Sequence, residues 1–110
     1  MPALFSYGTL QQREVQLANY GRELDGHSDT LAGYRLEQIS IDDPQVVRLS
    51  GKSVHVIARQ TGNADDQVAG TLFDLTDAEL RATDDYEVAA YSRIEVRLES
   101  GRSAWVYVAA

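Results

Sequence analysis

The sequence predicts a single α+β domain, a small mixed β-barrel or nearly closed sheet with a few short helices packed outside it. Two observations carry this expectation. Stretches of strand character dominate, in the order strand, helix, several strands, helix, hairpin, which is the pattern of helices set around a mostly antiparallel sheet. The chain has 110 residues, enough for one buried core and too few for two. No repeat, low-complexity tract or internal linker interrupts it, so residues 1–110 read as one unit.

Each element has its own local reason. Ala3–Tyr7 is short and apolar and reads as a buried strand, broken by Gly8-Thr9. Gln12–Tyr20 reads as a helix with Val15, Leu17 and Ala18 on its apolar side. Gly21 and Gly26 bracket a polar connection. Thr30–Ile41 mixes apolar and polar positions and suggests one long strand or two short ones. Asp42-Asp43-Pro44 reads as a turn, and Val46–Leu49 as a short strand after it. Val54–Ala58, rich in β-branched residues, is a clearer strand, and His55 within it is expected to face solvent. Thr61–Gln67 is a polar loop and Val68–Leu75 a strand. Thr76 followed by Glu79 forms a capping box, in which the hydroxyl meets a free N–H and the carboxylate reaches back. A helix is therefore predicted from Asp77 to about Asp85. Ser92–Leu98 alternates as a half-buried strand, Ser100-Gly101 turns, and Ala104–Val108 returns as the second arm of a hairpin.

Composition excludes several classes of function. There is no cysteine, which removes disulfides, thiol nucleophiles and thiolate metal sites. His27 and His55 show no metal-ligand spacing, so a metal site could form only through carboxylates and is not expected. Ten Lys and Arg are scattered among seventeen Asp and Glu, for a net charge of −7. No basic stripe is visible, and a nucleic-acid partner is not expected. No apolar run approaches a membrane span, and Met1-Pro2-Ala3 does not start a signal peptide. The expected location is cytoplasmic, with no membrane partner; oligomeric state is not legible.

Two stretches hold candidate chemistry. The first is Tyr7-Gly8-Thr9-Leu10, where a strand gives way to a helix. Backbone N–H groups at such a junction lack partners and can meet a carboxylate or an oxyanion. Gly8 permits close approach, and Thr9 adds a hydroxyl. A phosphate loop would carry more glycines and a lysine. The plain alternative is a junction that binds nothing. The second stretch, "TDDYEVAAYSR", sets Asp84, Asp85 and Glu87 at a helix C-terminus, where the dipole disfavours further negative charge. A carboxylate crowded there and partly buried beside Tyr86 should have a raised pKa, the direction a general base near neutrality requires. The alternative is a solvated acidic helix end. Ser6 precedes Tyr7 with no histidine nearby in sequence, so a Ser–His–Asp triad has little support.

Taken together, "YGTL" after an N-terminal strand, "VAGTLFDLTDAEL" running into "DDYEVAAYSR", and a closing "AWVYV" resemble the γ-glutamylcyclotransferase-like family, its AIG2-like branch included. The resemblance covers nearly the whole chain in order and spacing. It implies a small barrel with a cavity at one side. It also implies cyclisation of the γ-glutamyl group of a small amide or peptide to 5-oxoproline, with release of the amine and no cofactor. Carried over by position, Tyr7, Gly8, Thr9 and Leu10 fall on the loop that holds the glutamyl carboxylate, and Glu87 on the catalytic glutamate. Tyr91 matches a tyrosine common in the family, and Tyr107 a frequent aromatic position. The partner implied is a small γ-glutamyl molecule: a γ-glutamyl amino acid, glutathione, a γ-glutamyl-lysine crosslink or a γ-glutamyl amine. Thr83 stands where the family usually has Leu, which would loosen packing behind Glu87. Val88 stands where a Gly usually follows the glutamate, and a valine would resist positive φ there. These departures leave open a non-catalytic carboxylate-binding module on the same fold.

Overall fold

The computed structural model describes residues 1–110. Seven strands and three α-helices follow one another as β1 (Ala3–Ser6), α1 (Arg13–Tyr20), β2 (Gly26–Ala32), β3 (Tyr34–Ser40), α2 (Pro44–Ser50), β4 (Val54–Gln60), β5 (Gln67–Asp74), α3 (Asp77–Tyr86), β6 (Tyr91–Arg97) and β7 (Ser103–Ala109). A short 3₁₀ turn, Thr9–Gln11, lies between β1 and α1. The fold class is α+β, as the sequence predicts.

The strands form a five-stranded sheet in the order β2-β5-β1-β7-β6 and a separate β3-β4 hairpin. The large sheet is mixed: β1 runs antiparallel to β5 and parallel to β7. β1 sits at its centre, and its two faces enter two cores. Phe5 packs with Leu31, Val68, Ala58 and Val106. Leu4, on the opposite face, packs with Val15, Phe73, Leu75 and Leu80 beneath α1 and α3. Burial on both faces explains why so short an apolar segment is a strand. β5 can pass close to β1 only because residue 70 is glycine: a Cβ there would stand 2.5 Å from the Ser6 carbonyl oxygen.

The barrel is curled but not closed by a continuous ladder. The seam lies between β4 and the large sheet, and two tyrosine hydroxyls span it. The Ala58 N–H donates to the Tyr7 hydroxyl at 3.0 Å, and the Tyr7 hydroxyl donates to the Tyr107 carbonyl at 2.5 Å. The Tyr91 hydroxyl donates to the Val56 carbonyl at 2.8 Å. Side chains thus satisfy the strand-edge groups that a neighbouring strand would otherwise pair.

Three local expectations are corrected. Pro44–Ser50 is a helix, not a turn and a strand. The Asp43 carboxylate caps it by accepting from the Gln45 and Val46 N–H groups, at 2.9 and 3.4 Å. Pro44 starts it, and Gly51 ends it in the left-handed conformation with φ of 73°. Cap, proline and terminal glycine together outweigh the strand preference of Val46-Val47. On α1 the buried residues are Val15 and Gln16, while Leu17 faces outward. The polar segment after Gly26 is part of β2, which pairs with β5 from Gly26 to Ala32. The capping box at Thr76 and Glu79 forms as expected, with both of its hydrogen bonds made.

Candidate active site

A cleft opens at the seam, where β1 leaves the sheet and α3 ends. Its walls include Tyr7, Gly8, Thr9, Leu10, Glu87, Tyr91 and Tyr107, so all seven residues singled out in the sequence meet at one place. Phe5, Ser6, His55 and Val56 complete the lining. The cleft is small, with a cavity volume of about 30 Å³, and it opens to solvent.

The loop after β1 keeps donors free. The N–H groups of Tyr7, Gly8, Thr9 and Leu10 make no hydrogen bond within the protein, whereas those of Gln11 and Gln12 turn back to the Gly8 and Thr9 carbonyls. Buried Gln16 braces the loop by donating to the Leu10 carbonyl at 2.9 Å and accepting from the Leu24 N–H at 2.9 Å. The hydroxyls of Thr9 and Tyr86 are 2.8 Å apart, tying the loop to the last residue of α3. Gly8 has φ of −128°, so a positive φ does not account for the glycine there. Packing does not demand it either, since a Cβ at Gly8 would meet only Val56 Cγ2, at the ordinary contact distance of 4.0 Å.

Glu87 caps the C-terminus of α3, its N–H donating to the Thr83 carbonyl at 3.0 Å. Its carboxylate makes no hydrogen bond and no ion pair with any protein group. Burial alone pushes its pKa up to about 7, because removal from water disfavours the charged form when nothing compensates. The neighbouring carboxylates do not contribute. Asp85 faces solvent. Asp84 turns away, accepting from Arg93 at 2.8 and 3.1 Å and from the Tyr107 hydroxyl at 2.6 Å. Partial burial works against the Asp84 anion, but these donors outweigh it and hold its pKa below the usual carboxylate value.

The two departures from the family pattern are accommodated. Thr83 is fully buried. Its hydroxyl donates to the Glu79 carbonyl at 2.8 Å and therefore accepts from Tyr20 at 2.5 Å, so the packing behind Glu87 is filled. Val88 does not occupy the left-handed region, since only glycines have positive φ in this chain. Its carbonyl closes a turn by accepting from the Tyr91 N–H at 3.1 Å.

Sequence reasoning misplaced His55. It is 9% exposed, not solvent-facing. Its Nε2 lies 3.1 Å from the Lys52 carbonyl and 3.2 Å from Ser50 Oγ. A carbonyl only accepts, so Nε2 carries the proton, and burial lowers the pKa and keeps the ring neutral. The helix that buries this ring was the one read as a strand.

Comparison with known proteins agrees with the fold. No curated protein matches the sequence. A solved structure named gamma-glutamyl cyclotransferase superposes with a TM-score of 0.75 at 17% identity, covering 99% of this chain and 66% of that one. The chain therefore spans just under two thirds of that protein's length. An uncharacterized protein from Homo sapiens gives a TM-score of 0.73 at 17% identity, over 98% and 66% of the two chains. A uropathogenic E. coli-specific protein gives 0.70 at 20% identity, over 99% and 79%. At these identities the likeness establishes the fold. The family model for gamma-glutamyl cyclotransferase, AIG2-like, matches residues 4–110, and the chain belongs to that family.

Proposed function

We propose that this protein is a γ-glutamylcyclotransferase-type enzyme. It cyclises the γ-glutamyl group of a small amide or peptide to 5-oxoproline and releases the amine, with Glu87 as general acid and base. The observation that carries this reading is a lone carboxylate, free of any partner and with its pKa brought near neutrality by burial, lining a cleft beside the Tyr7–Leu10 loop.

In this reading the unpartnered N–H groups of Tyr7 and Gly8 hold the substrate's α-carboxylate. Fixed amide dipoles thus offset the protein's unfavourable negative charge. The cleft folds the glutamyl chain so that its α-amine approaches its own γ-carbonyl, an arrangement that raises the effective concentration of the nucleophile. Glu87, deprotonated, accepts a proton from the amine as the new N–C bond forms. The tetrahedral intermediate collapses as Glu87 returns that proton to the leaving nitrogen, and the original amide C–N bond breaks. One lactam and one free amine result, with no change of oxidation state and no cofactor. Proton transfer of this kind contributes about 10²–10⁴-fold in rate.

The test is a product assay by mass spectrometry over a panel of γ-glutamyl amides and peptides. The native protein is expected to form 5-oxoproline, and Glu87→Gln to lose at least about 100-fold in kcat while retaining the fold. Because the base must be deprotonated, kcat/KM should rise with pH through a midpoint near about 7. Equal rates for the two proteins would remove Glu87 from the mechanism. Gly8→Val is expected to weaken binding of 5-oxoproline by about tenfold or more, because its methyl groups enter the cleft toward Val56; unchanged affinity would exclude the loop as the carboxylate clamp. A protein that binds 5-oxoproline but makes none from any substrate would be the binding module instead. The negative φ of Val88 removes one ground for preferring that alternative.

A further inference from the structure

Five residues with hydroxyl side chains line the cleft: Ser6, Tyr7, Thr9, Tyr91 and Tyr107. Four of them are bonded within the protein. Tyr7 is held by the Tyr107 carbonyl and the Ala58 N–H, Tyr91 by the Val56 carbonyl, Tyr107 by Asp84, and Thr9 by Tyr86. The His55 Nε2 proton goes to the Lys52 carbonyl. Ser6 is the exception. It is only 5% exposed, yet its hydroxyl has no protein partner. No side-chain polar atom in the molecule is both sealed from solvent and unpartnered, so the Ser6 oxygen is reached from the cleft it lines. No bond within the fold occupies this hydroxyl, so it is free to meet water or a ligand in the cleft.

Resting on the cyclotransferase reading, we propose that the Ser6 hydroxyl donates a hydrogen bond to the substrate's γ-carbonyl oxygen and stabilises the oxyanion formed when the amine attacks. The placement fits. Ser6 directly precedes the two free N–H groups assigned to the α-carboxylate, and a glutamyl chain folded for cyclisation brings its γ-carbon back near its α-nitrogen. The hydroxyl sits on the central strand of the sheet, so it needs no reorganisation when charge develops. Ser6 forms no covalent bond: the oxyanion takes a hydrogen bond, and the proton of the amine still travels through Glu87.

Ser6→Ala tests this with little risk to the fold. The expected result is a fall in kcat of about 100-fold, a KM within about threefold of native, and a melting temperature that is unchanged or higher. Ligand binding supplies a readout independent of turnover. Ser6→Ala should weaken 5-oxoproline, whose lactam oxygen is the former γ-carbonyl oxygen, by about five- to tenfold. It should leave cyclopentanecarboxylate, which lacks that oxygen, unaffected. A native kcat, a melting temperature that falls together with kcat, or equal weakening of the two ligands would each overturn the proposal. A native protein that binds neither ligand overturns it together with the reading it rests on. Selective loss of 5-oxoproline affinity in a protein that turns nothing over would sink the enzyme reading and leave Ser6 as the carbonyl donor.

Discussion

Helix α3 carries a glutamate at each end, and the two have opposite fates. Glu79, in the first turn, accepts from the Thr76 N–H at 2.9 Å and from both Nε and Nη2 of Arg22 at 2.8 Å. The Arg22 hydrogen bonds, helped by the Thr76 N–H and the charge of Arg22, pull its pKa down to about 2 against the opposing effect of burial. Glu87, at the other end, has no donor at all, and burial drives it up to about 7. The residue type and the helix are the same, but the number of donors differs. The N-terminal carboxylate is a structural device stabilised by its partners. The C-terminal one is held in an unfavourable state that the fold tolerates, which is how perturbed groups at functional sites differ from structural ions.

The contrast can be broken from either side. The larger effect belongs to Glu87. Its folded pKa lies above the ordinary value of 4.5, so the native state holds the proton more firmly than the unfolded chain. Stability is therefore full below about pH 4.5 and declines as pH rises toward 7. The shift corresponds to roughly 3 kcal/mol. Glu87→Gln should accordingly be more stable than native by about 1–3 kcal/mol at pH 8, with the difference vanishing near pH 4, as read from chemical denaturation at the two pH values. A native protein as stable as the variant at pH 8 would mean that Glu87 has a partner in solution. The smaller effect belongs to Glu79. Its folded pKa is depressed, so its contribution is present above pH 4.5 and fades as pH falls toward 2. Glu79→Ala should cost about 1–2 kcal/mol at pH 7 through the lost cap and ion pair, and Glu79→Gln about half that, because Gln keeps the capping hydrogen bond. The effect is small because Arg22 is 45% exposed, where water screens the pair. Neither change should alter kcat; a loss of turnover would couple the two ends of the helix.

The same contrast shows what the sequence makes legible. Glu79 announces itself: Thr76 three residues before a glutamate is a local pattern with a local cause, and the box forms. Glu87 stands out by its neighbourhood and by family resemblance, but the crowding that the sequence suggests as a cause of its raised pKa is not the cause the structure shows. Crowding by Asp84 and Asp85 plays no part; what matters is burial in a cleft lined by residues of β1, β4 and β7, distant in sequence. His55 and α2 failed for a related reason. Val46-Val47 carries strand propensity, and the cap at Asp43 that overrides it was read as a turn, so the cover over His55 disappeared from view. Ser6 was weighed only as a nucleophile beside a histidine, and the signal that it lacks any partner exists only in three dimensions. The open barrel is another such case, since no strand pattern reveals that tyrosine side chains will close it.

That closure bears on how firmly the wall of the cleft is held. A wall fastened by a β-ladder yields only by unzipping several linked backbone bonds. Here the wall of the pocket is fastened to the large sheet by Tyr7 and Tyr91, whose rings also line the pocket. Each such bond contributes only about 1 kcal/mol net, and breaking it disturbs no strand register. The same two side chains therefore line the cleft and fasten its wall, and breaking their bonds would leave both sheets whole.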